Sequence, residues 1–180
     1  MTRSSPAVKS DSAPKSPLDL QPRVEKSDVG IEQREKKHLA EGLSQSLADT
    51  FSLYVKTLGV HWNVVGPSFY GLHKLTEVQY QDLAEAVDAL AERIRALGYP
   101  APAGFADFRS LSAIEAESRI EGTGDMLKEL IADNELAARR MRKVSDLAAE
   151  AEDKFSEDML IGRMGAHEKN VWMLRALVAQ

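Results

Sequence analysis

The sequence predicts an all-α fold, with four long helices in a bundle and one long crossover between the second and third. Three observations carry that prediction. Apolar residues recur at intervals of three and four over four separate stretches, the period of an amphipathic helix. Breakers fall between those stretches, at Gly66-Pro67 and at Gly98 with Pro100 and Pro102 behind it. No segment reads convincingly as a strand.

Size and composition narrow the classes of function. At 180 residues the chain is long enough for one domain with a real core and too short for two large ones. Hydrophobic content of 43% beside 28% charged residues fits a soluble globular protein. The absence of cysteine excludes disulfide scaffolds, thiolate metal sites and cysteine nucleophiles. A net charge of −5 argues against a broad nucleic-acid-binding surface, while a local basic tail stays open. The first twenty residues hold no apolar core of a signal peptide, and no apolar run approaches the length that spans a bilayer. The expected compartment is the cytoplasm.

Residues 1–30 are rich in Ser and Pro and poor in large apolar side chains, so they read as a flexible tail. Two roles stand for it. One is a solubilising or packing extension; the other is a DNA-touching arm using Arg3, Lys9 and Lys15 to neutralise phosphates. Five basic residues against four acidic ones make the excess slight, so any DNA binding is expected to be weak and salt-sensitive.

Residues 31–180 form the helical domain. The first helix carries Leu39, Leu43, Leu47, Phe51, Tyr54 and Leu58 as a core-facing stripe, with His61 as its next member. The second spans about 69 to 97, capped by Ser68 and stopped at Gly98. A connection over residues 99–122 is too long for a tight turn, and Asp107 to Ser112 adds a short helical segment to it. The third helix, about 123 to 150, turns Leu127, Leu130, Ala137, Met141, Val144 and Ala148 inward. The fourth, about 154 to 178, does the same with Leu160, Met164, His167, Val171, Leu174 and Val178. This is the plan of a ferritin-like four-helix bundle with a short extra helix in the long connection between the second and third helices.

The second helix holds the chemistry. His73, Glu77, Asp88 and Glu92 fall within an arc of about 100° on one face. His73 and Glu77 lie one turn apart, as do Asp88 and Glu92, so each pair can converge on a cation. Eleven residues separate Glu77 from Asp88, about 16 Å of rise, too far for one metal centre in one chain. The pairs 73/92 and 77/88 nevertheless share one midpoint, between residues 82 and 83. A second copy laid antiparallel across a two-fold axis there brings His73 opposite Glu92 and Glu77 opposite Asp88, giving two equivalent sites. Histidine with carboxylates and no sulfur suits iron, manganese or zinc.

Plain structural readings stand beside these. Carboxylates four apart are common on solvated helix faces, and on periodicity His61 is a core histidine. Glu35-Lys-Lys-His38 is a single Glu-x-x-His string embedded in charge, so it reads as a solvated face, and the intra-bundle di-iron site is absent. His167 lies on the core stripe of its helix and reads as a core histidine.

The order His61-Trp62-Asn63, Gly66-Pro67-x-Phe69, Leu72-His73, Glu77, Asp88 and Ala91-Glu92-Arg93 resembles that of Dps proteins, the mini-ferritins that protect bacterial DNA during starvation and oxidative stress. The resemblance runs from about residue 35 to the end. It implies a dodecameric shell of four-helix subunits with a ferroxidase centre shared across a two-fold interface. His61, His73 and Glu77 would come from one subunit, and Asp88 and Glu92 from its partner. It moves His61 from the core reading to a ligand. Iron(II) would be oxidised mainly by hydrogen peroxide and stored as an iron(III) mineral. The family more often has aspartate where Glu77 stands, and glutamate extends the reach by one methylene. Trp62 would pack beside the centre, with uptake of stray oxidising equivalents as the alternative. Alignment on Trp172 places Asp158 at an iron-entry pore, with Glu157 and Asp153 within a turn; acids at a helix N-terminus are the alternative there.

Overall fold

The computed structural model describes residues 23–115 and 122–178. They form five helices and, among the described residues, no strand: α1 Gln33–Asn63, α2 Phe69–Ala96, α3 Phe105–Leu111, α4 Thr123–Glu150 and α5 Lys154–Val178. The four long helices are those the periodicity predicts, and α3 is the extra helix of the crossover, starting two residues earlier than expected. No described helix is long and apolar enough to cross a membrane.

The turn from α1 to α2 uses Gly66 at φ +103, a conformation that side chains resist. Ser68 occupies the position before α2, but its side chain makes no cap bond; its carbonyl accepts from Leu72 N–H at 3.0 Å. The cap expected from the sequence is therefore positional only. At the far end, Gly98 N–H bonds Arg95 O at 2.9 Å and Tyr99 N–H bonds Ile94 O at 3.2 Å, a Schellman closure with Gly98 at φ +94.

Gly98 has a second duty. A Cβ there would stand 2.5 Å from the carbonyl oxygen of Glu25. Glu25 N–H bonds Gly98 O at 2.8 Å, its carboxylate pairs with Arg95 at 3.0 Å, and buried Lys36 donates to Ser27 O. Residues 23–30, read from the sequence as tail, thus lie against the end of α2 and the start of α1. The remainder of that tail, including Arg3, Lys9 and Lys15, lies outside the described residues.

Ion pairs and one close contact give the helix directions. Gly42 faces Val144 while Lys56 pairs with Glu129 at 2.8 Å and Asp133 at 2.6 Å, so α1 runs antiparallel to α4. Arg163 pairs with Asp82, and Arg93 reaches Asp153 and Ser156, so α5 runs antiparallel to α2. Gly42 is needed at its crossing, since a Cβ would meet Val144 Cγ1 at 2.9 Å.

The core divides into two apolar clusters. One joins Leu39, Leu43, Leu47, Leu90, Ile94, Met141 and Leu160; the other joins Leu53, Val60, Leu72, Leu83, Leu127, Leu130 and Leu174. Buried polar groups lie within the bundle as well, among them Asp49, Lys56, Gln79, Asp133, Asn134 and His167. The α1 stripe departs from the expectation in its second half. Leu39, Leu43 and Leu47 are buried, but Phe51, Tyr54 and Leu58 are half-buried and Leu53 and Val60 take the core positions. The cause is the neighbours: Phe51 stacks on Phe108 of α3 at 4.4 Å, and Tyr54 meets Tyr80 of α2 edge-on at 6.4 Å.

The long connection is fastened to α1 by one carboxylate. Fully buried Asp49 accepts from Ala113 N–H at 2.8 Å, Ser112 Oγ at 3.0 Å and the Arg140 guanidinium at 2.7 Å. Burial pushes its pKa up, opposed by the bonds from Ala113 and Ser112 and by the Arg140 charge, which satisfy its oxygens.

Candidate metal centre

His61 stands in the last turn of α1 and His73 in the second turn of α2, brought together by the five-residue link between the helices. Their rings stack at 3.8 Å between centroids and 17° between planes. Each ring is held by the other residue's backbone: His61 Nδ1 lies 2.9 Å from His73 O, and His73 Nδ1 lies 3.0 Å from His61 O. A carbonyl can only accept, so both Nδ1 atoms carry the proton. In the neutral imidazole this tautomer leaves the lone pair on Nε2, the nitrogen a metal would take, with the ring orientation fixed by the bond on its other side.

Aromatic neighbours fence the pair. Phe69 stacks on His73 at 5.2 Å, and Tyr80 meets His61 edge-on at 5.1 Å. Thr76 donates to Leu72 O at 2.8 Å and lies 3.2 Å from His73 O, so it shares the carbonyl that holds His61. His61 is buried and His73 half-buried.

The carboxylates are arranged differently. Glu77 is one turn beyond His73, but its Oε2 pairs with Lys74 Nζ at 2.7 Å. The hydrogen bond and charge of Lys74 hold the Glu77 carboxyl below its ordinary range, with His61 and His73 adding smaller effects. Asp88 and Glu92 are exposed three and four turns further along α2. Among the described residues, no three His, Asp or Glu side chains converge closely enough to hold a metal ion. A single chain thus assembles two prepared histidine nitrogens and leaves three acids apart from them. The donor types fit iron, since imidazole and carboxylate both serve it.

The other expected site residues fall as follows. Trp62 is 68% exposed, so the packing expected of it does not occur within one chain. Asp158 is exposed at the start of α5, and Glu157 pairs with Lys154 at 2.7 Å. Asp153 is different. It is buried, accepting from Ser156 N–H at 3.1 Å, from Ser156 Oγ at 2.6 Å and from Arg93. Burial raises its pKa, but the bonds from Arg93 and Ser156 outweigh burial and hold it below the usual range. Its carboxylate caps α5 within its own chain, the helix N-terminal role that stood beside the pore for these acids. Glu35 and His38 are exposed, as a solvated face predicts. His167 is fully buried, with Nδ1 2.9 Å from Asn134 Oδ1, and desolvation with help from Arg163 lowers its pKa to about 4.

Sequence reasoning missed the reciprocal carbonyl bonds, which no pattern of residue types encodes. It also missed Lys74, although its spacing of three from Glu77 on one helix is a legible signal.

The ferritin-like domain model matches residues 40–180, and with the all-helical bundle it defines a ferritin-like protein. An uncharacterised low temperature-induced protein of Nostoc sp. is 37% identical over 161 residues, covering 87% of each chain. The DNA protection during starvation protein of Porphyromonas gingivalis is 32% identical over 148 residues, covering 82% of this chain and 93% of that one. The solved Dps protein of Vibrio cholerae, described as a member of a broad superfamily of ferritin-like diiron-carboxylate proteins, superposes with a TM-score of 0.80 at 27% identity, covering 85% and 96%. The chain belongs to the Dps family.

Proposed function

We propose that this protein is a ferroxidase and iron store: it oxidises iron(II) with hydrogen peroxide at a centre shared between two subunits and keeps the iron(III) mineral inside a dodecameric shell in the cytoplasm. The observation that carries this reading is the His61–His73 pair, whose Nδ1 atoms are engaged by backbone carbonyls, so that Nε2 is the ring nitrogen each can offer to a metal. Glu77 would join them from the same chain. The partner subunit's Asp88 and Glu92 would complete the donor set, which accounts for two carboxylates standing exposed on α2 with no use in their own chain.

Each residue has a distinct task. The two imidazoles bind iron(II) without adding charge. The carboxylates supply negative charge and hard oxygen donors, which favour the trivalent product and so assist oxidation. Phe69 and Tyr80 limit how far the imidazoles can turn. Peroxide accepts two electrons, one from each of two iron(II) ions, and with two protons leaves as water. Iron(II) and peroxide are removed together, which protects nearby DNA from hydroxyl radical; the names of the relatives support that role. Asp158, with Glu157 beside it, would focus cations toward an entry pore.

The test is anaerobic loading with iron(II) followed by a peroxide pulse. Rapid oxidation by the wild type, with a large loss in both His73→Ala and Glu92→Ala, is the expected result. Equal rates in all three would reject the shared centre. Weak DNA retention by Arg3, Lys9 and Lys15 is tested separately by removing residues 1–22, which spares the Glu25 contact with Gly98. Retention unchanged by that truncation would reject the arm.

A further inference from the structure

Lys74 sits on the exposed side of α2, between His73 and Glu77, where the metal reading has no use for a cation. Its ammonium lies 2.7 Å from Glu77 Oε2, with the lysine side chain 53% exposed and the glutamate 32%. A positive charge one residue from a histidine ligand and bonded to a carboxylate ligand opposes cation binding by simple electrostatics.

The position of the pair explains why that opposition is useful. Across the two-fold axis inferred from the spacing, Glu77 faces the partner subunit's Asp88. Two carboxylates brought together without a cation repel, and burying them in an interface strengthens the repulsion. A lysine within reach supplies the missing charge. Lysine suits the task better than arginine, being a point charge on a flexible four-carbon stem that gives no rigid two-pronged grip. Glutamate suits it better than aspartate, since the extra methylene lets the carboxylate reach Lys74 in one rotamer and turn toward the histidines in another.

We propose that Lys74 is a built-in counter-cation of the metal centre, occupying the Glu77 carboxylate in the empty protein and displaced from it when a divalent cation binds. The proposal rests on the metal-centre reading above. It makes Lys74 a residue that sets cation affinity while touching no metal itself. The site is then charge-compensated in both states, by lysine when empty and by metal when filled.

A double-mutant cycle on the full chain tests it, with cobalt(II) as the probe because its visible absorption reports histidine and carboxylate ligation without turnover. Affinity is measured by calorimetry and by that absorption for wild type, Lys74→Gln, Glu77→Gln and the double variant. Lys74→Gln is expected to tighten cobalt(II) binding by roughly two- to fivefold, the range of an exposed ion pair. Lys74→Arg, which keeps the charge and the reach, is expected to leave binding at least as weak as in the wild type. In the Glu77→Gln background the Lys74→Gln change is expected to disappear, because the lysine acts through that carboxylate. The same tightening in both backgrounds would overturn the proposal, leaving only a general field effect, and so would no tightening at all. Wild-type protein that gains no cobalt(II) absorption, or His73→Ala that gains it equally, would instead reject the metal centre, and this proposal with it.

Discussion

His61 and His73 hold each other by the same device in both directions, ring Nδ1 to the partner's backbone carbonyl, at 2.9 Å and 3.0 Å. Their rings stack as a consequence. Metal-binding histidines are generally oriented by a hydrogen bond at the other ring nitrogen; here each imidazole is oriented by the other residue's backbone, an order that on the proposed reading precedes any metal.

One outcome follows for His73→Ala. The carbonyl of residue 73 that holds His61 belongs to the backbone and survives the substitution. The variant is therefore expected to keep its helical circular dichroism, with a Tm within a few degrees of wild type, while losing cobalt(II) absorption. A large drop in Tm would show that the stacked pair is a fold element.

Gly98→Ala is expected to destabilise the protein by more than 1 kcal/mol, of order 1–2 from the left-handed backbone alone. The approach of Glu25 O adds to that cost, because the Cβ would meet it at 2.5 Å. Chemical denaturation measures the loss, and limited proteolysis is expected to cut sooner within residues 23–30.

Gly42→Ala places a methyl 2.9 Å from Val144 Cγ1 at the crossing of α1 and α4. Overpacking of this kind costs about 1–3 kcal/mol. Adding Val144→Ala removes the clash, so the double variant is expected to recover part of the stability lost in Gly42→Ala. A double variant no more stable than Gly42→Ala would argue against this contact as the cause.

His167 gives a pH dependence whose sign is fixed. Its pKa falls from 6.5 to about 4 on folding, chiefly by desolvation. Between those values the unfolded chain binds the proton more readily, so stability falls as pH drops from about 6.5 to about 4 and levels off below. The full change is about 3 kcal/mol. Denaturation midpoints followed against pH are expected to lose this component in His167→Leu. An unchanged profile would assign the acid sensitivity to other groups.

Asp49→Ala removes the carboxylate that binds Ser112, Ala113 and Arg140 together. Leaving the Arg140 guanidinium and the Ala113 amide without that partner is expected to cost about 3–5 kcal/mol. Hydrogen exchange at Ala113 is the local readout, and it is expected to rise.

The legible part of this protein was whatever a helical period can express. Breakers at Gly66-Pro67 and Gly98 set helix ends, and inward residues of α4 and α5 appeared where the period put them, with Val178 only half-buried at the end of α5. On α1 the period failed past Leu47, because Phe51 and Tyr54 found aromatic partners on α3 and α2, and a one-dimensional pattern cannot say which neighbour a side chain will meet. Asp153 shows a related limit. Its type and its place before α5 suit both a cap and a pore, and its bonds to Ser156 and to Arg93 of α2 are visible only in the folded chain. The spacing of His73, Glu77, Asp88 and Glu92 along one helix is a property of the sequence, because a helix converts residue number directly into position. The state of the two histidines is not, since it depends on where the end of α1 lies against the start of α2, to within the length of a hydrogen bond.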